Sequence, residues 1–88
     1  MLKAQFGGKF KKDYKKAGKQ GRDVELLKAV MTRLQMQEKL DSKFRDHDLI
    51  GNWKGCRECH LGPDWLLIYR IEEDTIVFIR TGSHTEVL

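Results

Sequence analysis

The chain has 88 residues, 40% hydrophobic and 34% charged, with one proline and eight glycines. That describes one folded domain with one modest core, and it excludes disorder or a second domain. No run approaches the roughly 18 apolar residues a bilayer span requires, and Met1 to Phe6 lacks the apolar centre of a signal peptide, so membrane and export classes are excluded and a cytoplasmic protein is expected.

The net charge of +4 is unevenly spread. Residues 9 to 22 carry Lys9, Lys11, Lys12, Lys15, Lys16, Lys19 and Arg22 against Asp13 alone, whereas the rest of the chain holds ten basic and twelve acidic residues. Such a patch suits a polyanion such as nucleic acid, and it equally suits a solvated helix face or an acidic protein partner.

In chain order, Leu2, Ala4 and Phe6 alternate with Lys3 and Gln5, which predicts a short strand ended by Gly7-Gly8. Phe10, Tyr14 and Ala17 recur at helical spacing and predict a first helix over 9–17, largely lysine on its other faces. Gly18 and Gly21 break it. Asp23 then caps a second helix with Val24, Leu27, Met31 and Leu34 on its apolar face, broadened by Leu26 and Val30. Residues 37–51 are polar and irregular, with Leu40, Phe44, Leu49 and Ile50 as expected anchors and His47 in the loop.

Residues 52–61 fit a strand with Trp53, Gly55, Arg57, Cys59 and Leu61 on one face and Lys54, Cys56, Glu58 and His60 on the other. Two clearer strands, 65–71 and 75–80, flank the linker Glu72-Glu73-Asp74 and read as a hairpin. The expected fold is α+β in the order β-α-α-β-β-β, with two helices packed on an antiparallel sheet.

Cys56-Arg-Glu-Cys59-His60 matches the pattern for covalent haem attachment. On a strand, however, residues 56 and 59 point to opposite faces, and a zinc site from Cys56, Cys59 and His60 lacks a second close pair of ligands. Neither haem nor zinc is expected, nor any other cofactor, and Cys59 reads as a small core residue.

His60 and Asp64 precede the first hairpin strand, while Arg80 and His84 close the second. Folding about Glu73 gathers these groups at the hairpin's open end, and a second strand continued past Thr81 would put Arg80, Gly82 and His84 on one face, with the glycine leaving room for a backbone. Cleaving an RNA phosphodiester needs a base for the 2′-OH, a cation for the phosphorane and an acid for the leaving 5′-oxygen. Imidazole serves as base or acid, and guanidinium grips phosphate. The plainer readings are a capping histidine, a turn aspartate and an Arg80 paired with Glu58. Trp65 shares its face with Leu67 and Tyr69 and is expected in the core, the alternative being a platform for a base.

The motifs Phe44-Arg-Asp-His47, Gly51-Asn-Trp53-Lys-Gly, Arg57-Glu-Cys-His60, Pro63-Asp64-Trp65, Leu67-Ile-Tyr69 and Arg80-Thr-Gly-Ser-His84 occur in order, and with them the chain resembles the YafQ branch of the RelE/ParE toxin superfamily. The resemblance covers essentially the whole chain. It implies a toxin that cuts mRNA on the ribosome and is held inactive by a DinJ- or RelB-like antitoxin. Carried over, it makes His84 the general acid and Arg80 the transition-state clamp, with His47, His60 and Asp64 as candidates for proton abstraction and orientation. Lys54, Trp65 and the lysines of residues 9–19 become RNA contacts. Leu88 stands where the family can carry an aromatic residue, so the likeness does not extend to stacking from the tail. Two other classes stay open: a gyrase-poisoning member of the superfamily, against which the histidines argue, and a non-catalytic nucleic-acid-binding module.

Overall fold

The computed structural model describes residues 1–88. The alternating start gives β1 (Lys3–Phe6), and α1 (Gly8–Lys19) leaves it at once, burying Phe10 and Ala17. Helix α2 (Val24–Gln35) begins where expected, with the Asp23 carboxylate accepting from the Leu26 amide at 3.0 Å, and buries Leu27, Val30 and Leu34. The remaining elements are β2 (His47–Asp48), β3 (Arg57–Gly62), β4 (Trp65–Glu72), β5 (Thr75–Gly82) and a terminal turn of helix, α3 (His84–Val87). The fold is α+β.

The five strands lie in the order β1-β5-β4-β3-β2. Strands β3, β4 and β5 pair antiparallel as expected, the segment read as a loop adds the two-residue β2 antiparallel to β3, and β1 runs parallel to β5, so the sheet is mixed. Alternation of side chains is the same in both directions and cannot reveal this. The main core fills the space between the sheet and the two long helices, with Leu27, Leu67, Ile76 and Phe78 at or below 1% exposure. Each such side chain contributes about 1.5–3 kcal/mol of hydrophobic stabilisation. A smaller cluster of Cys56, Leu66, Ile68 and Val87 covers part of the opposite face.

Three local expectations are corrected. The strand expected over 52–61 begins only at Arg57, because residues 51–53 form a 3-10 turn with Gly51 and Gly55 at positive φ. Cys56 and Cys59 do fall in different clusters, one on each face of the sheet. Ile50 is 87% exposed and anchors nothing, whereas Leu40 and Phe44 reach the main core. His84 is not on a strand: β5 ends at Gly82, and Ser83 caps α3 through a reciprocal pair of bonds with Glu86. The space that Gly82 leaves is occupied by α3 itself, since an added Cβ would stand 3.0 Å from Val87 and 3.1 Å from Glu86.

The loop that carries His47 is pinned by a polar anchor. The buried Tyr69 hydroxyl donates to Asp46 at 2.6 Å, and Arg57 donates to Asp46 at 3.2 Å and to Asp48 at 2.7 Å. Burial, reinforced by Asp46, pushes the Tyr69 phenol well above its ordinary pKa and keeps it a donor. No helix is long and apolar enough to cross a membrane.

Candidate active site

Strand register builds the site. His47 stands opposite Glu58, His60 opposite Leu66, and Leu66 opposite Gly82, so the chain emerging from β5 comes level with His60. The three imidazoles form a row, with ring centroids 5.8 Å apart for His47 and His60 and 6.0 Å for His60 and His84. Beneath the row lies Glu58, its side chain 6% exposed, with one carboxylate oxygen 3.0 Å from His47 Nε2 and 3.8 Å from His60 Nε2. Its other oxygen, Oε1, is buried without a partner.

Each ring is oriented differently. His47 donates through Nδ1 to the carbonyl of Arg45 at 2.7 Å, which leaves Nε2 facing Glu58 at 3.0 Å. His60 Nδ1 lies 3.3 Å from a guanidinium nitrogen of Arg45. Arginine only donates, so Nδ1 carries the lone pair and the ring's proton sits on Nε2, towards Glu58. Burial first, and Arg45 second, hold the His60 pKa below its ordinary value, which favours the neutral ring.

The Asp64 carboxylate accepts from the His84 amide at 3.0 Å and lies 2.7 Å from His84 Nδ1. These bonds, the amide first, hold Asp64 below the usual carboxylate range. Asp64 therefore fixes the His84 tautomer and directs Nε2 outward.

The other expected residues lie elsewhere. Arg80 shares the sheet face of Glu58 but stands two strands away, about 10 Å at ordinary strand spacing, with Ile68 between them. Its guanidinium is held by Asp13 at 2.7 and 3.1 Å and reaches the Glu86 carbonyl at 3.4 Å, so it pairs neither with Glu58 nor with any of the three histidines. Trp65 is 6% exposed in the main core, with Arg22 over its ring, and shows almost no face to a base. Lys11 and Lys15 border an apolar groove lined by Phe6, Phe10, Tyr14 and Met31, Lys16 is bound to Glu86, and Lys9, Lys12, Lys19 and Lys54 stand in solvent. Sequence reasoning placed Glu58 on the His60 face by alternation but offered it only as a partner for Arg80, and it gave Arg45 no role.

His47, Glu58 and His60 offer ligand atoms within 4.8 Å of one another and could hold a metal ion. This set shares only His60 with the Cys56, Cys59 and His60 ligands weighed for zinc above.

The five-stranded mixed sheet with its helix pair has the fold of a small toxin of a type II toxin-antitoxin system. The family described as the YafQ bacterial toxin of such systems matches residues 2–88, and the chain belongs to it. It is 41% identical over 81 residues to the mRNA interferase toxin YafQ of Escherichia coli K12, an alignment that covers 91% of this chain and 88% of that one. It superposes on YafQ in the E. coli DinJ–YafQ complex with a TM-score of 0.91 at 37% identity, covering 100% of this chain and 99% of that one. A metal-bound toxin from Helicobacter pylori gives a TM-score of 0.93 at 43% identity with both chains fully covered.

The C-terminal turn is held by charge as well as by packing. Glu86 pairs with Lys16 and Arg22 and accepts from the Ser83 amide at 2.8 Å. The Lys16 bond first, and the Ser83 amide second, hold its pKa at about 2 rather than 4.5. A depressed carboxylate pKa gives stabilisation that is complete above the unfolded value and is lost as pH falls towards about 2. Thermal melts from pH 6 to pH 2.5 should therefore show Glu86→Gln losing less of its melting temperature than the wild type over this range; equal losses would contradict the assignment.

Proposed function

We propose that this chain is a ribosome-dependent endoribonuclease that cuts mRNA by acid-base chemistry and is neutralised by an antitoxin of the DinJ type. The observation that carries the reading is the row His60–His84–Asp64 on one open face, two imidazoles 6.0 Å apart in different electrostatic settings. That spacing leaves room for one phosphate with a hydrogen bond at each side.

His60, kept neutral, takes the proton of the 2′-OH, and the charge it gains is met by Glu58 beneath. His84, its Nδ1 held by Asp64, protonates the departing 5′-oxygen through Nε2. The 2′-oxygen forms its bond to phosphorus as the 5′-oxygen leaves, giving a 2′,3′-cyclic phosphate and a 5′-hydroxyl. His47, with both nitrogens engaged, supports the arrangement. Arg80 orders the end of β5 and α3 from the Asp13 side. A site this exposed has little means of orienting a flexible strand, which is what the ribosome would supply. An acidic antitoxin segment fits the lysine-bordered groove and the rest of the basic surface.

The purified chain should cut ribosome-bound mRNA and leave gyrase supercoiling untouched. His84→Ala should keep its melting temperature and lose about 10²- to 10⁴-fold in cleavage rate. Full cleavage by the folded variant, or gyrase inhibition with intact mRNA, would reject the assignment.

A second expectation follows from the His47–Glu58–His60 spacing and from the similarity to a copper-bound mutant toxin of H. pylori, TM-score 0.95. Copper(II) added to this chain should bind there and inhibit cleavage, because a metal on His60 Nε2 would leave the ring's proton on Nδ1 and remove the lone pair that His60 needs. Electron paramagnetic resonance should report nitrogen ligands that are lost in His47→Ala, and a copper chelator should restore the rate. Undiminished cleavage at saturating copper would contradict this.

A further inference from the structure

Acid-base chemistry by His60 and His84 leaves the phosphorane without a cation, since Arg80 is bound to Asp13 and stands across Ile68 from Glu58. Two other arginines are also engaged. Arg57 is held by Asp46 and Asp48, and Arg22 by Gln20 and Glu86. Arg45 is different. It is exposed, it has no carboxylate partner, and its one side-chain bond is to His60 Nδ1 at 3.3 Å.

Its setting is built for a side chain that moves on a fixed base. Arg45 closes the 3-10 turn Ser42–Phe44 in the left-handed region, φ 45 and ψ 49, a conformation that costs energy for any residue but glycine. Phe44 beside it is buried in the core, and Asp46 on its other side is bound by Tyr69 and Arg57. The Arg45 carbonyl orients His47 while its guanidinium covers His60. Together with Lys43, His60, Gly62 and Pro63 it borders a recess of about 360 Å³.

We propose that Arg45 is the catalytic cation for the scissile phosphate, and that it gates the base: without substrate its guanidinium rests on the His60 lone pair, and an arriving phosphate draws it off. The inference rests on the nuclease reading and deepens it. Guanidinium binds phosphate oxygens in two parallel bonds, which a single neutral nitrogen acceptor does not offer, so the exchange runs towards the phosphate. Nδ1 is then free to accept the 2′-OH proton as the O2′–P bond forms and the P–O5′ bond breaks, His84 protonates O5′, and Arg45 holds the negative charge between them. Substrate arrival and release of the base become one event.

The test uses single-turnover cleavage of ribosome-bound mRNA by the wild type, Arg45→Ala, Arg45→Lys and His84→Ala, each with and without guanidinium chloride at millimolar concentration. Arg45→Ala should bind programmed ribosomes like the wild type and lose about 10²- to 10³-fold in rate, the usual effect of deleting one transition-state donor. Added guanidinium should restore part of that loss in Arg45→Ala and none in His84→Ala, and Arg45→Lys should retain an intermediate rate. Arg45→Ala at the wild-type rate overturns the proposal. So does a loss that guanidinium does not repair, because Arg45 would then act through its backbone. A wild type that cuts nothing sinks the nuclease reading itself, and this one with it.

Discussion

The lateral register of β3 is the constraint on which the chemistry depends. Glu58 must face His47, and His60 must face Leu66, for three imidazoles contributed by residues 37 positions apart to share one row. A slip of one residue would turn His60 and Glu58 into the main core and Cys59 out to solvent. The register is held from both faces. Cys59, Leu61, Leu67 and Tyr69 are committed to the main core, and the Tyr69–Asp46–Arg57 bonds fasten the 45–48 segment to the sheet edge. β2 is only two residues long, so that polar anchor, more than the ladder, fixes His47 and Arg45.

Charge is distributed in the same spirit. Most cations near the site are tied to carboxylates, Arg80 to Asp13, Arg57 to Asp46 and Asp48, and Lys16 to Glu86, and these pairs brace α1, the 45–48 loop and α3. Arg45 is held only by a neutral ring nitrogen, and the one deeply buried carboxylate, Glu58, sits under two imidazoles. The lysines of the basic helix are exposed to solvent, where Lys11 and Lys15 border the apolar groove and Lys16 pairs with Glu86.

Much of this was legible in the chain. The helices announced themselves by periodicity and the Asp23 cap, the hairpin by two apolar runs about an acidic turn, and its closure correctly brought Asp64 to His84. The separation of Cys56 from Cys59 followed from the pleat. What was not legible depended on partners distant in sequence. The Asp13 partner of Arg80 stands 67 residues earlier, where no spacing rule points to it. The parallel direction of β1 leaves no mark on alternation, and the short helix at His84 depends on Ser83 and Glu86 closing on each other. Arg45 lies in an irregular loop whose shape is set by Phe44 and Asp46, so no spacing rule could have found it.

The claim that a pair of imidazoles cuts RNA through its own 2′-hydroxyl is tested most directly by the chemistry of the ends. A ribosome-bound message with a single 2′-deoxynucleotide at the mapped cut site should remain whole at that bond, while the all-ribose message yields a 2′,3′-cyclic phosphate and a 5′-hydroxyl. Cleavage at the deoxynucleotide, or a product ending in a free 3′-hydroxyl, would contradict the account.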